Sequence, residues 1–271
     1  MITFTDKFPL THDNYHSLQA NNAYMSNSQY RDFRVCEAMA MAKISGEYSS
    51  IESKALIAGK LLHSWNDGTI EEFKASTPAL YKKAGGLYSE YQDIMDMIDV
   101  LRQDELVMFV LQGRKEVILT AEMFGCYWKS MLDVYNPEKR RFGELKSTRS
   151  IRELVWDPEE GGKVSFLEMY HYPRQHAVYA EMERLVSGRD PGDWYEGIMV
   201  AVSKEEPPDK EVISLKDPGR VEAELKAIEI NMPRILSVKR HLAEPKRCER
   251  CAYCRGTKKL DRIIHYTELD K

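Results

Sequence analysis

Long apolar runs are missing from this 271-residue chain. The nearest thing, Val107–Leu111, is far short of the roughly 18 residues that a membrane span needs. Glycine (15) and proline (11) are too sparse for a collagenous or low-complexity protein, and no internal repeat is visible. With 43% apolar and 30% charged residues, wholesale disorder is excluded as well. Net charge is small, since 39 Lys and Arg face 43 Asp and Glu, giving −4. The opening Met1-Ile-Thr-Phe-Thr-Asp-Lys7 has no basic stretch leading into an apolar one, so no secretory signal is expected and the chain reads as cytoplasmic. The length suits one large domain, or two small ones, with ample core, and the chain is read as one domain spanning 1–271.

Cysteine is scarce too, but unevenly placed: Cys36, Cys126, then Cys248, Cys251 and Cys254 within seven residues. In a cytoplasmic chain such a C-x2-C-x2-C run points to a metal or cluster rather than to disulfides. A closed site wants four ligands, so the fourth comes from Cys36, Cys126 or a histidine. Charge is uneven in the same way. Residues 139–152 hold six Lys/Arg and one acid, and residues 239–262 hold nine Lys/Arg against Glu244, Glu249 and Asp261. Both stretches suit contact with a polyanion, or are solvated faces and helix ends.

Periodicity sets the order of elements. Residues 1–25 are polar and loop-like. Ser26 caps a helix whose apolar stripe (Tyr30, Phe33, Ala40) runs to about Ile44. A second helix runs from about Ile51 to Trp65, residues 67–85 are loop-like, and Tyr88 to about Leu101 is helical. Glu116–Phe124, Cys126–Tyr135 and Arg141–Thr148 then read as consecutive antiparallel strands. Ser165–Val186 reads as one long helix, Trp194–Val202 as a buried strand paired with Val212–Leu215, and 218–243 as helix. The implied class is α/β (α+β): a central mixed β-sheet flanked by helices.

Chemistry concentrates where the second and third strands meet. On a strand, residues two apart share a face, so Glu144 and Lys146 point together while Leu145 points to the core. Asp133 lies one turn earlier and can sit beside Glu144. Two carboxylates and an ammonium suit Mg²⁺ (or Mn²⁺) with a substrate phosphate, the lysine offsetting charge and orienting or deprotonating an attacking water. An exposed E-x-K on a strand is otherwise an ordinary polar face. Gly59 and His63 lie four apart on the second helix, the glycine allowing close approach to the sheet and the histidine offering a metal ligand. Gln175 and Tyr179 share a face of the long helix.

Taken in order, G-x-x-x-H, a strand Asp, E-x-K and Q-x-x-x-Y resemble the PD-(D/E)XK nuclease superfamily. Within it they resemble RecB-like nucleases and phage recombination exonucleases of the lambda-exonuclease and exodeoxyribonuclease VIII type, over about Ser26–Lys259. The likeness implies a restriction-endonuclease-like core. It implies that Asp133, Glu144, the Leu145 carbonyl and His63 bind Mg²⁺, that Lys146 is the catalytic lysine, and that Gln175 and Tyr179 assist. Leu132-Asp133 stands where the superfamily name has Pro-Asp. By the same likeness, Cys36, Cys248, Cys251 and Cys254 clamp a 4Fe-4S cluster, with zinc or free thiols as alternatives because C-x2-C-x2-C is tighter than usual. The segment 239–262 then packs on the N-terminal helix.

The activity so implied is a metal-dependent exodeoxyribonuclease of phage or prophage origin. It would resect double-stranded DNA ends 5′→3′ for a RecT-like single-strand annealing partner, as a ring-like homo-oligomer (trimer or tetramer). Arg31 and Arg34 are candidates for holding a terminal phosphate, and Lys129 and Arg149 for other DNA contacts. The alternatives are a CRISPR-adaptation-type or helicase-associated nuclease trimming single strands, and a non-catalytic DNA-binding module of the same fold.

Overall fold

The computed structural model describes residues 8–49, 53–157 and 161–268. Readings that touch residues 1–7, Ser50 or a helix start at Ile51 lie outside the described residues. No helix among the described residues is long and apolar enough to cross a membrane.

Helices α1 (Leu18–Ala23), α2 (Asn27–Val35), α3 (Glu37–Ser45), α4 (Lys54–Asp67), α5 (Ile70–Ser76), α6 (Ser89–Arg102) and α7 (Glu105–Val110) precede the sheet. Then come strands β1 (Arg114–Met123), β2 (Cys126–Asn136) and β3 (Arg141–Thr148), and a small hairpin of β4 (Val155–Asp157) and β5 (Gly162–Val164). Helices α8 (Phe166–Met169) and α9 (Tyr172–Val186), strands β6 (Glu196–Ser203) and β7 (Lys210–Ser214), and helices α10 (Pro218–Lys239) and α11 (Ala252–Gly256) complete it. Among the described residues β1-β2-β3-β6-β7 form a five-stranded sheet, antiparallel except for the parallel pair β3–β6. Helices α8 and α9 lie in the crossover that this parallel pair requires. The mixed sheet expected from the sequence is therefore present.

Local chemistry explains the departures. The helix expected from Ser26 to Ile44 is two helices, because Cys36 adopts extended backbone (φ −166°, ψ 111°) while its thiol accepts the Met39 N–H at the start of α3. The helix expected from Ser165 is interrupted at His171 (φ 55°): Pro173 has no N–H and fits only in a first turn, so α9 starts afresh at Tyr172. Helix α5 lies inside the stretch read as loop. Its only apolar anchors, Ile70 and Phe73, pack on the core beside α4 and α6, too few to give a periodic stripe. Helix α1, capped by Ser17, likewise replaces loop.

Two apolar layers hold the sheet. One face packs against α9 and α10 with α2 and α3 outside them, through Trp128, Phe142, Val178, Met182 and Ile235. The other packs against α4, α6 and α7, through Leu61, Ile94, Ile98, Leu145 and Val200. The β1–β2 hairpin turns on Phe124 (φ 51°) and Gly125 (φ 80°), a two-residue turn with positive φ at both positions that matches strand twist.

Candidate active site

Strands β2 and β3 pair only from Asn136↔Arg141 to Val134↔Gly143. Beyond that point they part, and a side chain takes over from the backbone: Leu145 N–H donates to Asp133 Oδ2 at 2.9 Å. On the far side of β2, Glu116 has φ 49° and drops out of the otherwise continuous β1–β2 ladder opposite Asp133. Alternation breaks here as well. Leu132 packs in the α9/α10 layer and Val134 in the α4/α6 layer. A distorted stretch of sheet therefore presents Asp133, and positive φ at a non-glycine residue marks strain of the kind that clusters at functional sites.

Glu144 and Lys146 stand on the face of β3 opposite Leu145, whose side chain is fully buried among α4 and α6. Lys146 Nζ lies 2.7 Å from Glu144 Oε2 and 3.9 Å from Asp133 Oδ2. Gln175, in the second turn of α9, donates Nε2–H to Glu144 Oε1 at 3.0 Å. Tyr179 follows one turn later, its ring 6.5 Å from Phe142 and its hydroxyl adjacent to Gln175. From α4, His63 Nδ1 approaches Asp133 Oδ1 at 3.5 Å, and Asn66 donates Nδ2–H to the Asp133 carbonyl at 3.3 Å. The expected close approach of Gly59 is not found, since a Cβ built there meets nothing within 4 Å. Close approach is required instead at Gly197 on β6. A Cβ there would stand 2.1 Å from His176 Nδ1 and 2.8 Å from Phe142 Cζ.

Electrostatics follow from burial. Glu144 is pushed up to about 7 by desolvation and by the Asp133 carboxylate. Burial works against the Lys146 charge, but Glu144 and Asp133 outweigh it and raise the group, so the ammonium stays protonated. Burial and Lys146 push His63 down to about 4, leaving a neutral imidazole able to ligate. The Asp133 and Glu144 carboxylates, with a neutral imidazole beside Asp133, are a donor set of the kind a hard divalent cation takes, and its charge would relieve the repulsion that raises Glu144.

Sequence reasoning missed several neighbours. Glu116 acts on His63 electrostatically, as does Asp67. Tyr172, the first residue of α9, lies in the field of Lys146, Glu144 and Arg31, and Tyr15 in that of Glu144. A Pro in the turn after Tyr172 was the only signal for the first; nothing in spacing pointed to Tyr15 or Glu116.

Residues 26–257 match the model of a family described as a PDDEXK-like domain of unknown function (DUF3799). The chain belongs to this family. It is also similar to the crystal structure of a "putative exonuclease" from Eubacterium rectale, with a TM-score of 0.91 and 33% identity over 97% of this chain and 98% of that one. No curated protein matches. The fold is that of a PD-(D/E)XK nuclease.

Of the residues expected to contact DNA in this PDDEXK-like nuclease, Lys129 is placed otherwise. It is 2% exposed, donates to the Tyr15 carbonyl and, at 2.8 Å, to Asn21 Oδ1, and sits 4.6 Å from the Tyr15 ring centroid. A duplex cannot reach it; its role is to pin the segment before α1 to the sheet. Arg31, Arg34 and Arg149 are exposed, Arg34 donating to Asn231 Oδ1 at 3.0 Å and Arg149 lying 3.5 Å from Glu153. Much of the basic stretch 139–152 is internally engaged. Arg140 pairs with Asp193, Arg141 lies over the Phe109 ring, and Arg152 pairs with Glu211.

The PDDEXK-like chain also gathers its dispersed thiols. Cys36, Cys248, Cys251 and Cys254 converge with all four sulfurs within 4.8 Å of one another. Backbone and side chains fasten the same junction: Ala38 N–H donates to the Lys246 carbonyl, and Glu37 accepts from Arg234 at 2.9 and 2.7 Å and from Lys246 N–H. Cys126 is a core thiol in the α9/α10 layer, pushed up to about 11 chiefly by burial.

Proposed function

We propose that this PD-(D/E)XK nuclease is a Mg²⁺- or Mn²⁺-dependent exodeoxyribonuclease that resects duplex ends 5′→3′. The observation that supports this reading is the convergence of Asp133, Glu144, Lys146 and Gln175 at the parting of β2 and β3. Asp133, Glu144 and His63 would hold the cation, with the Leu145 carbonyl beside them. When bound, the cation supplies positive charge for a phosphodiester and acidifies water. Asp133 keeps its carboxylate oriented through the Leu145 N–H, and Gln175 does the same for Glu144. Lys146, an ammonium in the metal-free chain, is placed to orient a water or a phosphate oxygen. The exposed Arg31 and Arg34 on α2 offer charge for a DNA phosphate, and the similar structure's description as an exonuclease favours action at ends.

A resected end is a 3′ single strand, the substrate of an annealing protein of the RecT-like kind. Such partners, and a ring-like oligomer encircling the duplex, belong to this reading, as does a phage or prophage setting. Blunt duplex labelled at one 5′ or one 3′ end, digested with and without Mg²⁺, tests it. Mononucleotides released from the 5′ label only, and only with the cation, are expected. Cleavage confined to single strands would replace the duplex reading, and no cleavage with any divalent cation would sink it.

A further inference from the structure

The spacing of the four sulfurs distinguishes between ways of filling them. Cys36 Sγ lies 3.5 Å from Cys254 Sγ, Cys248 Sγ lies 4.0 Å from Cys254 Sγ, and no pair of the four exceeds 4.8 Å. Four thiolates on one ion at Zn–S distances of about 2.3 Å form a tetrahedron with edges of roughly 3.8 Å. In a cubane each thiolate binds a different iron, which spreads the sulfurs to an edge on the order of 6 Å. The observed spacing fits the first arrangement and is too tight for the second. We infer that Cys36, Cys248, Cys251 and Cys254 bind a single Zn²⁺ as a closed structural site, in place of the iron–sulfur cluster that the family likeness implies.

The surrounding backbone is built for it. Cys251 N–H donates to Cys248 Sγ at 3.3 Å, Cys254 N–H to Cys251 Sγ at 3.4 Å and Met39 N–H to Cys36 Sγ at 3.5 Å, so three sulfurs accept an amide that orients them. Glu249, between the first two C-terminal ligands, takes φ 58°, the tight turn that a two-residue spacer needs to aim both thiolates at one point. Cys36 and Cys254 are buried and Cys248 and Cys251 half-buried, and four protein ligands fill a tetrahedral ion, as structural sites do. Loading four thiols with one Zn²⁺ releases four protons and leaves a site of charge −2. Arg247 lies in the field of Cys254 and donates to its carbonyl at 2.8 Å, placing a cation against that charge. This assignment is independent of the hydrolytic reading.

The full chain, expressed with both zinc and iron supplied, purified without oxygen and dialysed into zinc-free Mg²⁺ buffer, tests it by elemental and sulfide analysis. One zinc per chain, no acid-labile sulfide, a colourless solution and zinc release in step with mercurial titration of the thiols are expected. Cobalt loaded in its place should give the intense visible bands of a tetrahedral thiolate ion, lost again on adding zinc. Iron with equimolar sulfide, iron alone, or a metal-free chain of unchanged melting temperature would each overturn the assignment. Cys251→Ser should lose the zinc; should that variant not fold, the wild-type metal content and cobalt spectrum decide alone. Lys146→Ala should keep its zinc whether or not the chain cleaves DNA.

Discussion

Asp133 Oδ2 receives the backbone N–H of Leu145 at 2.9 Å, at the place where the ladder between their strands has just ended. The carboxylate replaces the carbonyl that a regular antiparallel pair would supply, so the opening of the sheet and the aiming of this carboxylate are one event. The neighbouring groups carry the predictions.

Lys146 is the single ammonium within 4 Å of both carboxylates among the ion pairs of the described residues. Lys146→Ala should lower cleavage by about 100-fold or more, the size of contribution usual for one positioned catalytic group. Circular dichroism and DNA binding should stay near wild type, and turnover retained in a single-turnover assay would remove Lys146 from the reaction.

Gln175 reaches the Asp133–Glu144–Lys146 group through its hydrogen bond to Glu144. Gln175→Ala should therefore act more mildly, raising the Mg²⁺ concentration needed for half-maximal rate by roughly 10-fold, as loss of an outer partner does. A rate curve superimposable on wild type across a Mg²⁺ titration would reduce Gln175 to a surface residue of α9.

Glu144 sits at about 7 against an ordinary 4.5, through burial and Asp133. Between those values the folded metal-free chain holds the Glu144 proton that the unfolded chain releases. This contribution to stability is thus full below 4.5 and is lost as pH rises through 7. Cation binding needs the carboxylate and should strengthen with pH over the same window. Melting curves from pH 5 to 8 should show a Mg²⁺-induced rise that is small at pH 5 and larger at pH 8; a pH-independent increment would contradict it.

Gly197 gives room to a stack. His176, with its ring pushed down to about 4 by burial and so neutral, lies 5.2 Å from Phe142 at 25° and directly over the glycine. Gly197→Ala should displace α9 at the residue next to Gln175, costing roughly 1–3 kcal/mol or more by overpacking. Urea denaturation should show the loss, and cleavage should fall beyond what the unfolded fraction explains.

Lys239 is 4% exposed and donates to the Asn21 and Tyr24 carbonyls and to Gln29 Oε1 at 2.9, 2.7 and 2.8 Å. Lys239→Met removes the donor from the buried Tyr24 carbonyl and Gln29 Oε1, while the Asn21 carbonyl keeps Gln29 Nε2–H, and should cost about 3 kcal/mol. Hydrogen exchange should quicken first in α1 and α2; unchanged protection there would mean that other contacts hold them.

The strands and the Asp133, Glu144 and Lys146 grouping were legible because period-two alternation and a two-residue E-x-K spacing are local facts that survive folding. The breaks at Cys36 and His171 were hidden for different reasons. Nothing in the sequence marks Cys36 as a helix cap, while Pro173 was a signal overridden by the continuing apolar stripe. Lys129 misled because a cation reads as surface until the carbonyl that buries it, Tyr15, comes from a segment 114 residues away. Glu116 was invisible because its contribution depends on a backbone twist opposite Asp133, and Gly197 was invisible because only tertiary packing shows which glycine faces a ring.

Cys36 and Cys254 meet although they lie 218 positions apart in the sequence. Joining them is among the most non-local steps the chain takes, and such closures are slow and entropically costly. A ribosome halted before residue 246 would release α2 and α3 without the Lys246 carbonyl and the last three thiols that fasten them. Copies ended there would keep the Arg234 and Lys239 anchors of this region but lose the thiol junction that joins α3 to the far end of the chain.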